Sequence, residues 1–221
     1  MNQRLRDILI HKTAADGTIE IENETPESVS QAPKETPTEG KASPELPTEA
    51  TGETEQTKFI TDAVEQMLCQ QIGNELFAFY EYKAVGAWAT SQGWDGFAAW
   101  GNAQACGELT HMQKILDFLV QLGCTPELPK ISGIAARFDS MEKAVEGVLK
   151  RERAVTKNWR IIAKECLATF DSATLELAQW FVTEQMEEED VAKTLLAKLA
   201  AAGTGAGILV LDGQLLAQYG G

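Results

Sequence analysis

Apolar residues recur at helical spacing through four long stretches of the second part of the chain. The first runs from Asp62 to about Gln92, with Leu68, Ile72, Phe79, Tyr82 and Val85 on one stripe. The second runs from about Asp95 to Leu122, with Phe97, Trp100 or Gly101, Ala105, Ile115, Phe118 or Leu119, and Leu122. The third, Met141 to Phe170, carries Val145, Val148, Val155, Trp159, Ile162 and Cys166. The fourth ends at Gly203 and carries Leu177, Phe181, Ala192, Leu195 and Leu199. This spacing marks one buried face per helix. Thr61, Ser140 and Ser172 are the expected N-caps, and Gly93, Gly123 and Gly203 the expected stops. Helices of about thirty residues with single apolar faces predict an all-α four-helix bundle.

The connections predict the topology. Short links around Gly93 and Asp171 make helices one and two, and three and four, antiparallel. Gly123 to Asp139 is longer. A helix of ~28 residues is about 42 Å long, and seventeen extended residues reach about 56 Å. The segment is therefore read as a crossover that lets helix three run parallel to helix two. Ile208 to Gln218 is expected to form a short fifth helix.

Residues 1–57 differ in kind from residues 58–221, the expected folded domain. Thr13 to Thr57 holds five of the seven prolines, eleven acidic residues against two lysines, and no aromatic residue. Such a composition buries too little apolar surface to offset ordering, so disorder is expected. Within residues 1–21, Leu5, Ile8 and Leu9 form a short amphipathic turn, and Asp16 to Ile21 alternates like a strand. A docking segment on an acidic tether is one reading of this arrangement.

Formal net charge is −14. That argues against nucleic acid and anionic membranes as partners and suits cations. No apolar run approaches the ~20 residues of a membrane span, and no signal-peptide core is evident. Cys69, Cys106, Cys124 and Cys166 form no CxxC pair, which fits reduced thiols in a cytoplasmic protein.

Against this background four polar positions stand out. Each apolar stripe contains a glutamate near mid-helix: Glu75, Glu108, Glu152 and Glu188. His111 lies one turn after Glu108, and Gln104 one turn before it. The fourth stripe also admits Glu184 or Gln185. In an antiparallel bundle these mid-helix positions come level. At ~4 Å and an effective dielectric of ~20, two like charges repel by about 4 kcal/mol. Cations would remove the conflict, and carboxylates with an imidazole suit iron or manganese. A glutamate from each of two helices, with a metal-binding pair from each of the others, is a di-metal carboxylate arrangement.

From about Phe59 to Ala217 the sequence resembles bacterial non-haem ferritins. The resemblance is carried by Gly73-Asn-Glu-Leu-Phe-Ala-Phe-Tyr80, Gly107-Glu-Leu-Thr-His-Met-Gln-Lys114, Leu149-Lys-Arg-Glu-Arg-Ala-Val-Thr156 and Gln179-Trp-Phe-Val-Thr-Glu-Gln-Met-Glu-Glu-Glu189. It implies a ferritin-like bundle that oxidises Fe(II) with dioxygen or hydrogen peroxide, and stores the Fe(III) mineral in a homo-oligomeric shell of twenty-four subunits. It implies two irons per subunit at a ferroxidase centre. Glu75, Glu108 (bridging), His111, Glu152 and Glu188 match its ligands, and Gln185 a central glutamine. Tyr82 and Trp180 match aromatic residues beside the centre, either of which would be a candidate electron donor; for Trp180, core packing is the favoured role. Glu184 and Glu187 match ligands of a third iron site, but the family often has two adjacent glutamates in helix two, and the first is Gly107 here. A glycine at that point either admits a close contact or is tolerated drift.

The resemblance also implies no haem, because Leu109 stands where bacterioferritins carry a methionine and the fourth helix lacks a second Glu-x-x-His. One alternative reading is a ferroxidase cargo or interaction module, recruited to a larger compartment through the N-terminal extension. Another, a rubrerythrin-like peroxidase, lacks the cysteine pairs that would support it.

Overall fold

A computed structural model describes residues 59–134 and 136–221. The expected acidic tether and docking segment lie outside the described residues. Five helices follow in order: α1 (Asp62–Ser91), α2 (Asp95–Gln121), α3 (Met141–Thr169), α4 (Ser172–Ala202) and α5 (Ala206–Tyr219). No helix among the described residues is long and apolar enough to cross a membrane.

The helix ends follow local chemistry. Thr61 accepts a hydrogen bond from the Val64 N–H at 3.2 Å, and Ser140 from the Lys143 N–H at 3.2 Å. The expected cap of α4, Ser172, is instead its first residue. Asp171 caps it, accepting from the Thr174 N–H at 3.0 Å, because a carboxylate is a strong acceptor for the free amides of a helix start. Gly93 and Gly123 both have φ +78°, which lets the chain turn out of α1 and α2. α3 stops one residue earlier than expected, with Phe170 itself in the left-handed region at φ 56°.

Two apolar clusters hold the bundle. The first joins Val85 and Ala89 of α1, Phe97 and Trp100 of α2, Val145 of α3 and Leu199 of α4. The second joins Leu68 of α1, Leu119 of α2, Ile162 of α3 and Phe181 of α4. The start of α2 and the start of α3 thus share one end, so these two helices are parallel, while α1 and α2, and α3 and α4, are antiparallel. The crossover runs along α1. Cys124 belongs to the second cluster. Pro129 lies so close over Gly73 that a Cβ there would come within 2.7 Å of it. Phe138 then meets Trp88 edge-on in the first cluster, ring centres 5.6 Å apart. Each fully buried aliphatic or aromatic side chain contributes roughly 1.5–3 kcal/mol, and both clusters contain several.

α5 spans more than the expected Ile208 to Gln218 and packs on the start of α2. No side chain of the preceding turn caps α2. The carboxylate of Asp212 does so from α5, accepting from the Phe97 N–H at 2.9 Å. The fit is tight: a Cβ on Gly96 would fall 1.8 Å from the Asp212 carbonyl oxygen. Leu211 and Leu215 bury the other side of the contact in the first cluster.

Candidate metal centre

Between the two apolar clusters the core turns polar. Glu75, Glu108 and Glu152 are each 2% exposed and His111 7%. Glu188 is half-buried beside them. Each side chain points inward because it occupies the helical phase of the apolar residues on either side of it. On α1, for example, Glu75 continues the buried line of Leu68 and Ile72.

The potential ligand atoms form three groups, within each of which they lie within 4.8 Å of one another: Glu75 with Glu108 and His111; Glu108 with Glu152 and Glu188; and His111 with Glu184 and Glu188. Glu108 belongs to the first two and so stands between them. His111 Nδ1 lies 3.5 Å from Glu108 Oε2 and 3.9 Å from Glu75 Oε2. Its Nε2 lies 3.6 Å from Glu184 Oε1.

The two sides of this cluster are satisfied differently. Glu152 accepts from the Tyr82 hydroxyl at 3.1 Å and from the Gln185 amide at 2.8 Å. Glu188 accepts from the Gln104 amide at 3.2 Å. In contrast, Oε1 of Glu75 and Oε1 of Glu108 are buried without a hydrogen-bond partner. A buried, unpartnered carboxylate oxygen is costly. A cation held by Glu75, Glu108 and His111 would offset the cost of burying these carboxylates, and the donor set of hard carboxylates with one imidazole fits iron.

Electrostatics give the same picture. Burial, then the charge of Glu108, holds the Glu75 carboxyl well above the usual carboxylate range. Burial, then Glu152 and Glu188, does so for Glu108, and burial, then Glu188 and Glu75, for Glu152. Burial also raises Glu188, with His111 opposing it. The Tyr82 phenol is pushed well above its ordinary value by burial and then by the charge of Glu152, so it stays protonated as a donor. Without a cation, these carboxylates are strained toward protonation.

The aromatic floor is built from α3 and α4. Trp159 stacks on Phe181 with ring centres 4.0 Å apart and planes 6° from parallel. Phe181 and Trp180 both meet His111 edge-on, at 5.8 and 5.9 Å. Trp180 was expected to pack in the core. It is 38% exposed, between His111 and the Lys114 ammonium, which lies 4.1 Å from its ring centre. It lies one helical position before Phe181, and that rotation carries it from the core to the rim.

Of the other expected site residues, Gln185 is buried and turned to Glu152, and Glu184 is half-buried against His111. Glu187 is exposed and belongs to none of the three groups. Gly107 has no heavy atom within 4 Å of where a Cβ would stand. Space there would accept a side chain, so no close approach requires the glycine. Two contributors went unassigned in the sequence. Thr156 bonds both the Glu152 carbonyl and the Glu189 carboxylate at 2.9 Å, joining α3 to α4 behind Glu152. Gln104, visible only as a polar residue near the α2 stripe, reaches α4.

Residues 65–202 match the model of the ferritin-like domain family. The chain is 30% identical over 151 residues to a bacterial non-heme ferritin of Escherichia coli, an alignment covering 68% of this chain and 92% of that one. It is 28% identical over 156 residues to a bacterial non-heme ferritin of Bacteroides fragilis, covering 71% and 98%. Among solved structures it is similar to an open pore ferritin from the archaeon Archaeoglobus fulgidus. The TM-score is 0.70 at 31% identity, with 72% of this chain and 98% of that chain covered.

Proposed function

The chain belongs to the ferritin-like family, and on that premise we propose that it is a ferroxidase that takes Fe(II) as substrate and stores the Fe(III) product. The observation that carries this reading is the set of four core carboxylates, one per helix, with His111 beside them and two buried oxygens left without partners.

Fe(II) is the substrate at two neighbouring positions. Glu75, Glu108 and His111 would hold one, and Glu108, Glu152 and Glu188 the other, with Glu108 shared. Anionic oxygen donors favour Fe(III) over Fe(II) and so ease electron loss. Two Fe(II) together supply the two electrons that, with two protons, reduce dioxygen to hydrogen peroxide, or hydrogen peroxide to water. Tyr82 and Gln185 hold Glu152 in place, and Gln104 holds Glu188. Trp180, at the rim beside His111, is a further candidate electron donor. Glu184 lies next to His111, and with Glu187 on the same helix it would serve a third position. The glycine at 107 leaves that position without an α2 carboxylate.

Storage requires an enclosed volume, and we propose a homo-oligomeric shell, of twenty-four subunits by family resemblance, in a cytosolic setting that suits the free cysteines. The test is Fe(II) oxidation under air, followed through ferric absorbance, in the native chain and in Glu108→Ala. Equal rates would remove the ferroxidase assignment. Size-exclusion chromatography with light scattering tests the shell separately; a dimer or small ring would refute it.

A further inference from the structure

The surface of α3 directly opposite its buried stripe carries Lys150, Arg153, Lys157, Arg160 and Lys164, all exposed. Their spacing of three, four, three and four residues places them in one line along the helix. The line extends ~21 Å at ~1.5 Å per residue. No acidic residue interrupts this face between Lys150 and Lys164. Arg153 reaches Glu189 only at 3.9 Å, and Glu189 is already held by Lys193 at 2.8 Å. Among the described residues, Lys157, Arg160 and Lys164 have no carboxylate within ion-pair distance. At the C-terminal end the line runs into Leu167, 63% exposed.

This is an unusual outward face for a chain of net charge −14. Solvated helices commonly mix signs at i,i+3 and i,i+4, because like charges at those spacings repel. Here, past Glu146, five cations share one face, and three of them, Lys157, Arg160 and Lys164, have no carboxylate within ion-pair distance among the described residues; none of the five contributes to the carboxylate centre. From this arrangement we infer that the outer face of α3 binds an acidic polypeptide segment carrying an apolar residue at one end. Charge complementarity selects an anion. The width of a single line of side chains selects a single segment, and Leu167 provides the apolar seat. About six or seven extended residues at ~3.3 Å each would cover the line. The strongly negative remainder of the chain opposes broad polyanions such as duplex DNA or an anionic bilayer, which would meet more than one helix face.

The test titrates the full-length protein into a fluorescein-labelled decapeptide of eight glutamates followed by two leucines, read by anisotropy. Saturable binding is expected, weakening at least about tenfold from ~50 to ~200 mM salt, as for any multivalent charge contact. Lys157→Glu, Arg160→Glu and Lys164→Glu together should weaken it at least tenfold. Leu167→Ser should weaken it about threefold, and Lys198→Glu on α4 should leave it unchanged. Circular dichroism and Fe(II) oxidation check that the triple variant is folded; if it is not, the charge-neutral triple glutamine variant replaces it with the same expected loss. No saturable binding, equal binding by the folded variant, or tighter binding to a duplex oligonucleotide or to phosphatidylserine vesicles would overturn the proposal.

Discussion

The two sides of the core carboxylate cluster contain the same chemistry in different states. On one side, Glu75 and Glu108 face His111 with two buried oxygens unpartnered. On the other, Glu152 and Glu188 already accept bonds from Tyr82, Gln185 and Gln104. The first side gains most from a cation, because an oxygen of each of its two carboxylates lacks a hydrogen-bond partner and, apart from His111, only the Trp159 side chain and the Glu75–Glu108 contact relieve Glu75. The second must exchange neutral donors for a cation, so its net gain is smaller. The comparison therefore predicts two unequal positions, the tighter one at Glu75, Glu108 and His111. Burial alone does not distinguish them, since Glu75 and Glu152 are equally buried. The presence or absence of donors does.

The largest effect should come from the carboxylate both sides share. Glu108→Ala is expected to bring Fe(II) oxidation down to the uncatalysed rate in the same buffer; a retained rate would break the comparison at its centre. Next, calorimetric titration with Zn(II) as a redox-inert probe should resolve two unequal positions. Glu75→Gln should abolish the tighter one, whereas Glu152→Gln should spare it and weaken the other. If Glu152→Gln removed the tighter position instead, the assignment of sides would be reversed.

A pH series tests the strain common to both sides. The raised Glu75, Glu108, Glu152 and Glu188 carboxyls bind protons more tightly in the folded than in the unfolded chain. The stability this contributes is complete below the ordinary carboxylate range of about 4.3 and is lost as pH rises through the raised values. The melting temperature of the metal-free protein should accordingly fall as pH rises from about 5. Saturating Zn(II) should flatten that dependence, since the cation replaces the protons; a metal-free melting temperature that rises over this range would contradict it. The smallest effects are expected at the amide donors. Gln185→Leu should lower metal-free stability in urea by about 1.5–3 kcal/mol, as for a hydrogen bond to a charged group. Gln104→Leu, less buried, should cost about 0.5–1.5 kcal/mol.

Much of this was legible in the sequence because helical phase is a local property. Glu75, Glu108 and Glu152 read as inward-facing from their apolar neighbours alone, and all three are buried. His111 follows from being one turn from Glu108. The crossover followed from loop length against helix length. What could not be read depended on contacts between distant segments. Asp212 caps α2 from 115 residues away, and nothing near Asp95 announces it. Trp180 and Phe181 are adjacent and both aromatic, yet one lies at the rim and the other in the core. One helical position turns a side chain by about 100°, enough to move it from the core to the rim. Gly107 allowed two explanations until the space around it was known, and that space is open.

By itself, the sequence determined the helices, their order, the polar level between two apolar clusters and the residue types gathered there. These follow from periodicity and from the cost of burying a carboxylate. Only the tertiary structure decided which oxygens are left without partners. That depends on whether an amide or hydroxyl on another helix comes within about 3 Å. Gln104 and Glu188 are 84 residues apart in the chain, and no local rule sets the distance between them. The packing of α2 against α4 sets it, and with it the inequality of the two sides.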